Sequence, residues 1–235
     1  MRNLLLVSTS TTYGTAYLEH CAAELKSLFE GKKEILFIPF ARPSGISEAD
    51  YTAKAGEAFK NFGFKMRGLH EFDNPSEAVE MAEGVFTGGG NTFLLLKRIY
   101  ETGIFETLQQ KVASGMPYMG TSAGTNIAGL SIGTTNDMPI VYPPSFNALA
   151  AVKFNLNPHY LDPIEGLQHM GETRETRINE FHHQNKQAVI GLREGSMIRV
   201  QGSSVELLGA HTARVFQAGK AAIEVSGSLK EFEID

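Results

Sequence analysis

Short apolar runs bounded by turn residues recur through the first half of the chain. Runs of this length and composition are typical of strands that are buried on both faces of a sheet. The pattern predicts five such strands, at Leu4–Val7, Ile35–Phe40, Phe64–Leu69, Val85–Phe86 and Met116–Met119.

Longer segments in which apolar residues recur at helical spacing separate these strands. Ser47 and Asn91 are suited to cap the helices that follow them, because their side chains accept hydrogen bonds from the first turn. The predicted helices are Tyr17–Phe29, the segment from Ser47 to Phe62, Pro75–Ala82, the segment after Asn91, and Phe105–Ala113. Alternating strands and helices predict an α/β fold, with a mostly parallel sheet covered by helices on both faces.

The pattern changes after about residue 130, where turn residues become frequent. One further helix is predicted at Glu172–His183, and the tail from Ala188 to Val225 has the pattern of short hairpin strands. No repeat or linker divides the chain. We therefore expect a single domain over residues 1–235, with an antiparallel C-terminal extension.

Composition narrows the classes of function. The chain has 235 residues, 42% of them hydrophobic and 20% charged, which is ordinary for a soluble globular protein. Its net charge of −5 argues against nucleic-acid binding, which needs a basic face. Its single cysteine, Cys21, cannot form an intrachain disulfide, and the apolar run at the N-terminus is too short for a membrane span or a signal peptide. The cytoplasm is the expected location.

A candidate nucleophile lies directly after the fifth predicted strand. Gly120-Thr121-Ser122-Ala123-Gly124 fits the pattern G-x-S-x-G and precedes a predicted helix, Ala123–Leu130. In this context the glycines permit a sharp strand-to-helix turn that exposes the serine hydroxyl, and the N–H of Ala123 is placed to bind an oxyanion. The alternative is an ordinary turn rich in glycine and serine.

A second glycine-rich segment, Gly88-Gly89-Gly90-Asn91, also ends a strand and opens a helix. Backbone N–H groups in such a position bind anions. The segment lacks the lysine of a P-loop and is not a complete dinucleotide-binding motif. Beside a nucleophilic serine, its simplest role is to complete the oxyanion hole with the N–H of Gly90.

A nucleophilic serine requires a base and an acid. His159 follows a proline and an apolar run that indicates a strand end, which favours it over His211 in a late turn. The order of serine, acid and histidine in α/β-hydrolases indicates Asp137, whereas Glu194 would follow the histidine. Triads are defined by geometry, so the residues alone leave both acids open. No cluster of Cys and His with metal-binding spacing occurs, and neither a metal nor a cofactor is expected.

Together these motifs resemble peptidase E, a family of serine peptidases that hydrolyse α-aspartyl dipeptides. The resemblance covers nearly the whole chain and is carried by Ile38–Ala41, Gly88–Phe93, Ser122–Gly124, Thr134–Ile140, Asn157–His159, Gly171–Glu175 and Glu194-Gly195. It implies a fold similar to that of class I glutamine amidotransferases, which have cysteine at the elbow. Ser122 in that position argues against amidotransferase chemistry.

The resemblance also implies roles for individual residues. It implies a triad of Ser122, His159 and Glu194, and it leaves Asp137 to shape the site or face the substrate. The expected substrate is a small peptide, a dipeptide with N-terminal aspartate.

Three further residues complete the expected substrate site. Arg174, at the start of the predicted helix, is suited to bind the aspartate carboxylate bidentately. Glu172 is expected either to receive the substrate ammonium or to cap that helix, and Asn91 is counted among the substrate-binding residues.

Two other functions are compatible with the same elbow. One is a cyanophycinase-like β-aspartyl peptidase or an esterase, and the other is a binding protein that has lost catalysis. Loss of catalysis predicts a missing triad member, and none is missing. Neither a nucleic acid nor a membrane is expected as a partner, and the sequence is compatible with a monomer or a homo-oligomer.

Overall fold

The computed structural model describes residues 1–163 and 171–232, which form two sheets and the helices around them. The strands are β1 (Asn3–Val7), β2 (Glu34–Ile38), β3 (Lys65–Gly68), β4 (Val85–Thr87), β5 (Tyr118–Thr121), β6 (Asn155–Pro158), β7 (Val189–Leu192), β8 (Ser196–Gln201), β9 (Ser204–Gly209), β10 (Ala213–Phe216), β11 (Ile223–Val225) and β12 (Gly227–Ser228). The helices are α1 (Ala22–Leu28), α2 (Glu48–Asn61), α3 (Pro75–Met81), α4 (Thr92–Glu101), α5 (Phe105–Ala113), α6 (Ala123–Asn126) and α7 (Arg174–His182).

The larger sheet has eight strands in the order β12-β9-β8-β1-β5-β4-β2-β3. The five strands predicted from the apolar runs pair in parallel, and β8, β9 and β12 extend them with antiparallel pairs. The α/β fold and its antiparallel extension are therefore confirmed.

The remaining late strands do not join that sheet. They form a second sheet of four strands in the order β11-β10-β7-β6, in which β6 and β7 pair in parallel. This division was not predicted, because each strand is only a few residues long and no local pattern specifies its partner.

Strand β1 lies at the centre of the larger sheet, between β5 and β8. Leu4 and Leu6 belong to the hydrophobic cluster on one face, and Leu5 and Val7 to the cluster on the other. All four are fully buried. Alternation of side chains along a strand explains why a continuous apolar run is required here.

Helices cover both faces, as predicted. Leu95 of α4 and Leu108 of α5 pack in the first cluster, whereas Leu25 of α1 and Phe59 of α2 pack in the second. The second cluster has an aromatic centre, in which the ring of Phe86 stacks on that of Phe59.

The predicted helix caps at Ser47 and Asn91 are confirmed. The Ser47 hydroxyl accepts a hydrogen bond from the N–H of Asp50, and the Asn91 side chain accepts one from the N–H of Leu94. Helix α7 begins at Arg174 because the hydroxyl of Thr173, and not Glu172, provides its cap.

Two predicted helices are too long. The first regular α-helix begins only at Ala22, since Leu18 adopts a left-handed backbone with φ 61° and Glu19–Cys21 form a 3₁₀ turn. Helix α6 ends at Asn126, well before Leu130. The carbonyl groups of residues 127–129 accept hydrogen bonds from the N–H groups of residues 149–151, so the chain beyond α6 pairs with a distant segment.

In residues 1–163 and 171–232, none of the helices has the length and apolar character needed to cross a membrane.

Candidate active site

Ser122 stands at the turn between β5 and α6 in a strained backbone conformation. Its φ of 53° and ψ of −110° are unfavourable for a residue with a side chain, and such strain is concentrated at functional sites. A Cβ atom at Gly124 would collide with the carbonyl of Thr87 on β4. The close packing of this turn on β4 therefore requires glycine two residues after the serine, a position that is glycine in the motif.

The turn is fastened to the central strand. The N–H of Ser122 donates to the carbonyl of Val7, 3.1 Å away, and the Thr125 hydroxyl donates to the same carbonyl at 2.7 Å. Tyr118, the first residue of β5, donates from its hydroxyl to the carbonyl of Gly124. The position of Ser122 is thus set by several buried hydrogen bonds.

The glycine-rich segment after β4 lies against the nucleophile candidate. A Cβ atom at Gly89 would come within 3.0 Å of the Ser122 Cβ. Gly90 has φ 148° and passes so close to the carbonyl of Ala41 that a side chain would collide with it. Tyr51 donates from its hydroxyl to the carbonyl of Gly89, which fixes the segment.

The two predicted oxyanion donors flank Ser122 in this arrangement. Ala123 is the first residue of α6, and the N–H of a first helical residue has no partner within its helix. Gly90 belongs to the segment packed on Ser122. Their role in binding an oxyanion stays a prediction.

His159 and Glu194 are brought together across 35 residues of sequence. The Nδ1 atom of His159 is 2.7 Å from Oε1 of Glu194, which leaves Nε2 of the imidazole available to another group. His159 follows β6, and Glu194 follows β7, so the parallel pairing of these strands places both at the same sheet edge. His159 also has a left-handed backbone, with φ 55°.

Asp137, the other candidate acid, has a different partner. Its Oδ2 accepts a hydrogen bond of 2.7 Å from the N–H of Thr92, at the start of α4. A carboxylate at this end of a helix is stabilised by the helix dipole. The observed partner of the His159 imidazole is Glu194, and that of Asp137 is the helix N-terminus.

A cavity of about 250 Å³ joins several of the predicted residues. Its lining consists of Thr92, Ser122, Ala123, Thr135, Asn136, Asp137, Pro158, His159 and Arg174. Within the described lining, Asp137 is the sole carboxylate and Arg174 the sole guanidinium. A nucleophile candidate, a base candidate and one charge of each sign therefore face one small space.

The other predicted residues lie outside that lining. His211 is exposed in the turn before β10, and its carbonyl accepts a hydrogen bond from Ser196. Glu172 is exposed and pairs with Arg177 at 3.5 Å. The Asn91 amide donates to the carbonyl of Met138 besides capping α4. Substrate roles for Glu172 and Asn91 remain untested predictions.

Arg174 is partly buried, and its positive charge interacts with Asp137 in the cavity lining. Burial lowers the pKa of the Arg174 guanidinium, the positive charge of Arg177 adds to this effect, and the carboxylate of Asp137 opposes it. Arg174 nevertheless stays charged at any physiological pH. Asp137 and Arg174 are thus electrostatic neighbours.

Two asparagines that hold this site together were not predicted. Asn136 donates from its side chain to the carbonyl of Pro158 at 2.8 Å, just before His159. The Asn157 amide donates to the side chain of Asn136 and to the carbonyl of Thr134. These bonds connect the segment containing Asp137 to the end of β6. Both residues lie in motifs that carried the family resemblance, which was the available signal.

An ion network behind the site was also missed. The Arg193 guanidinium binds Asp162 through two hydrogen bonds, of 2.7 and 2.9 Å, and Glu224 through two more of 2.9 Å. Arg214 contacts Glu224 at 3.4 Å and Glu175 at 2.9 Å. The members adjoin the site in sequence, since Arg193 precedes Glu194 and Glu175 follows Arg174.

Cys21 takes no part in the site. It is a free thiol, fully buried in the cluster that contains Leu25, and burial raises its pKa to about 12. Within the described ranges no group of His, Cys, Asp and Glu side chains is arranged to hold a metal ion.

Comparisons with known proteins agree with the family resemblance. The sequence model of peptidase family S51 matches residues 4–208. A Drosophila melanogaster protein named "Probable alpha-aspartyl dipeptidase" is 46% identical over 229 residues, covering 96% of this chain and 94% of that protein. A peptidase E from Streptomyces coelicolor is 47% identical over 225 residues, covering 95% of this chain and 91% of its own.

The fold is shared with a more distant solved structure. The crystal structure of a peptidase from an acI-B1 Actinobacterium matches 96% of this chain and 97% of its own length, with a TM-score of 0.69 and 18% identity.

The ion network predicts a specific pH dependence of stability. Hydrogen bonds from Arg193 hold the pKa of Glu224 at about 2, below its ordinary value of 4.5. A carboxylate with a lowered pKa in the folded state stabilises the protein above pH 4.5, and this stabilisation is lost as the pH falls toward 2. Glu224→Gln should therefore lower the free energy of unfolding above pH 4.5 and converge with the unmodified protein near pH 2.

The loss should be on the order of 1 kcal/mol or less, since the carboxylate is partly solvated. Urea unfolding at several pH values measures it. Glu206→Gln, which removes an exposed carboxylate on β9, is the control and should show no such convergence. A difference for Glu224→Gln that is constant from pH 7 to 2 would contradict the assignment.

Proposed function

The chain belongs to peptidase family S51 and is a peptidase, and from this premise we propose that it is a serine dipeptidase for dipeptides with N-terminal aspartate. The observation that carries the proposal is the small cavity in which Ser122, His159, Asp137 and Arg174 meet. Its volume of about 250 Å³ lies below the roughly 300–1,000 Å³ of pockets for drug-sized ligands, which suits a substrate of two residues.

In the proposed mechanism the Ser122 hydroxyl attacks the scissile carbonyl carbon. Nε2 of His159 takes the hydroxyl proton as the new C–O bond forms, and then delivers it to the leaving amine as the C–N bond breaks. Water next attacks the acyl-enzyme and gives a proton to His159. That proton returns to the Ser122 oxygen when aspartate is released, so the enzyme is restored.

Glu194 and the backbone N–H groups support these steps. The Glu194 carboxylate accepts a hydrogen bond from the Nδ1–H of His159, which keeps the imidazole in the productive tautomer and stabilises its cation. The N–H groups of Ala123 and Gly90 bind the negative oxygen of the tetrahedral intermediate.

Charge in the cavity matches an N-terminal aspartate. We assign the side-chain carboxylate of the substrate to Arg174, whose planar guanidinium binds such a group bidentately. We assign the α-ammonium group of the substrate to Asp137, which is the sole carboxylate in the described lining of the cavity. Asp137 also accepts a hydrogen bond from the first turn of α4, so this helix holds its negative charge in place.

The finer assignments follow the same reasoning. We propose one domain of the class I glutamine amidotransferase type, with Ser122 where those enzymes have cysteine. We propose the cytoplasm as its location, in keeping with the free thiol of Cys21.

Ser122→Ala should abolish the nucleophile. We expect turnover of Asp-Leu to fall on the order of 10⁴–10⁶-fold with folding intact, because the hydroxyl is required in both halves of the reaction. Hydrolysis of Asp-Leu by the variant measures turnover, and circular dichroism measures whether the variant is folded. A variant with near-normal activity would refute the nucleophile. Cleavage of β-Asp-Arg in place of Asp-Leu by the unmodified protein would favour the cyanophycinase-like alternative.

Glu194→Gln and Asp137→Asn distinguish the two acids. The triad acid orients the base, so Glu194→Gln should lower kcat on the order of 10⁴-fold. Asp137→Asn should act mainly on KM, because Asp137 meets the bound substrate and the helix rather than the imidazole. A larger fall in kcat for Asp137→Asn would reverse the assignment.

Arg174→Met should abolish the preference for aspartate. Removing a bidentate partner of a desolvated carboxylate costs roughly 2–5 kcal/mol, which is about 30- to several-thousandfold in kcat/KM for Asp-Leu. The matched control is Arg177→Met, on the same helix, whose guanidinium pairs with exposed Glu172. The ratio of kcat/KM for Asp-Leu and Asn-Leu should fall for Arg174→Met alone. An unchanged ratio would exclude Arg174 as the group that binds the aspartate side chain.

A further inference from the structure

Ser8 follows the last residue of β1, and its side chain is fully buried beneath the site. The hydroxyl accepts a hydrogen bond of 2.9 Å from the N–H of His159 and donates one of 2.8 Å to the carbonyl of Leu192. A serine hydroxyl can do both at once, since it carries one proton and two lone pairs. One buried oxygen thus connects the ends of β1, β6 and β7.

The same hydroxyl fixes the segment that carries Glu194. Leu192, whose carbonyl receives the Ser8 proton, ends β7 two residues before Glu194. This carbonyl also accepts the N–H of Tyr160, the residue after His159, at 2.9 Å. The backbone N–H of Ser8 donates to the carbonyl of Ser196, beyond Glu194. Ser8 therefore contacts the chain on both sides of the proposed acid.

His159 has a particular need for such support. Its left-handed φ of 55° is disfavoured for any residue with a Cβ atom and persists only where the surroundings fix it. The His159 N–H donates to Ser8, and the N–H of Tyr160 donates to Leu192. The Ser8 oxygen accepts the first of these bonds. The Leu192 oxygen, which accepts the second, also accepts the hydrogen bond that the Ser8 hydroxyl donates.

The nucleophile is held one residue away. The carbonyl of Val7 accepts the N–H of Ser122 and the hydroxyl of Thr125. Val7 and Ser8 are consecutive, so one peptide unit at the end of β1 sets the position of the serine relative to the histidine.

We propose that Ser8 is a positioning residue whose hydroxyl aligns His159 with Glu194 and Ser122, an inference that rests on the proposed function of those three residues. Ser8→Ala would leave the partly buried His159 N–H without its partner, and the backbone at His159 would relax. A displacement of about 1 Å in a catalytic group can cost on the order of 10²-fold in rate. We expect that fall in kcat on Asp-Leu with little change in KM, since Ser8 lies beneath the base and not in the cavity lining.

The kinetic experiment compares Ser8→Ala and Ser8→Cys with Thr102→Ala. Thr102 is a half-buried hydroxyl at the far end of α4, hydrogen-bonded to the carbonyl of Arg98, so its loss controls for general destabilisation. Cysteine fills the site but is a weak hydrogen-bonding group, and should reproduce the loss of kcat without a cavity. The proposal would be overturned if kcat fell no further in the two Ser8 variants than in Thr102→Ala.

A second measurement needs no turnover. In proton NMR of the resting protein, the Nδ1 proton of His159, assigned by its absence in His159→Gln, should be shifted downfield by Glu194. Ser8→Cys should shift or broaden this resonance, and Thr102→Ala should not. An unchanged resonance in the Ser8 variant overturns the positioning role. Failure of the unmodified protein to cleave Asp-Leu while the resonance responds to Ser8 would instead refute the proposed function alone.

Discussion

The end of β1 is the fixed point on which the site depends. The strand is buried between a parallel and an antiparallel neighbour, so its final carbonyl and the following hydroxyl cannot move without breaking sheet hydrogen bonds. From this point the Val7 carbonyl holds the turn at Ser122, and the Ser8 hydroxyl holds the ends of β6 and β7. Two of the four non-glycine residues with positive φ in the described chain, Ser122 and His159, are held in this way. The buried central strand thus holds two strained residues of the candidate site in place.

Sequence reasoning succeeded where a local pattern has a local cause. The apolar runs predicted the five parallel strands because a strand buried on both faces must be apolar throughout. Ser122 was recognisable because its backbone conformation needs small neighbours, and the cap at Asn91 because a first helical turn needs an acceptor. The match to peptidase family S51 confirms the resemblance that these motifs carried.

What sequence reasoning missed depends on contacts between distant residues. Ser8 meets His159 across 151 positions, and Arg193 meets Asp162 and Glu224 each across 31. A buried serine after a strand and an arginine in a late loop have no spacing that identifies their partners. The choice between Asp137 and Glu194 was open for the same reason. The structure supplies the missing fact, which is that the N-terminus of α4 binds the first and the imidazole the second.

The strand that supports the site is synthesised first, but the segments that complete the site are synthesised much later. Strand β1 is synthesised first, but its antiparallel neighbour β8 begins only at Ser196. Arg193, the residue before Glu194, pairs with Glu224 on β11, which is synthesised later still. A nascent chain that has released the turn at Ser122 still lacks His159 and Glu194, the proposed base and acid. Such a chain holds the proposed nucleophile without its proposed base and acid, and the site is complete only after β8 has paired with β1.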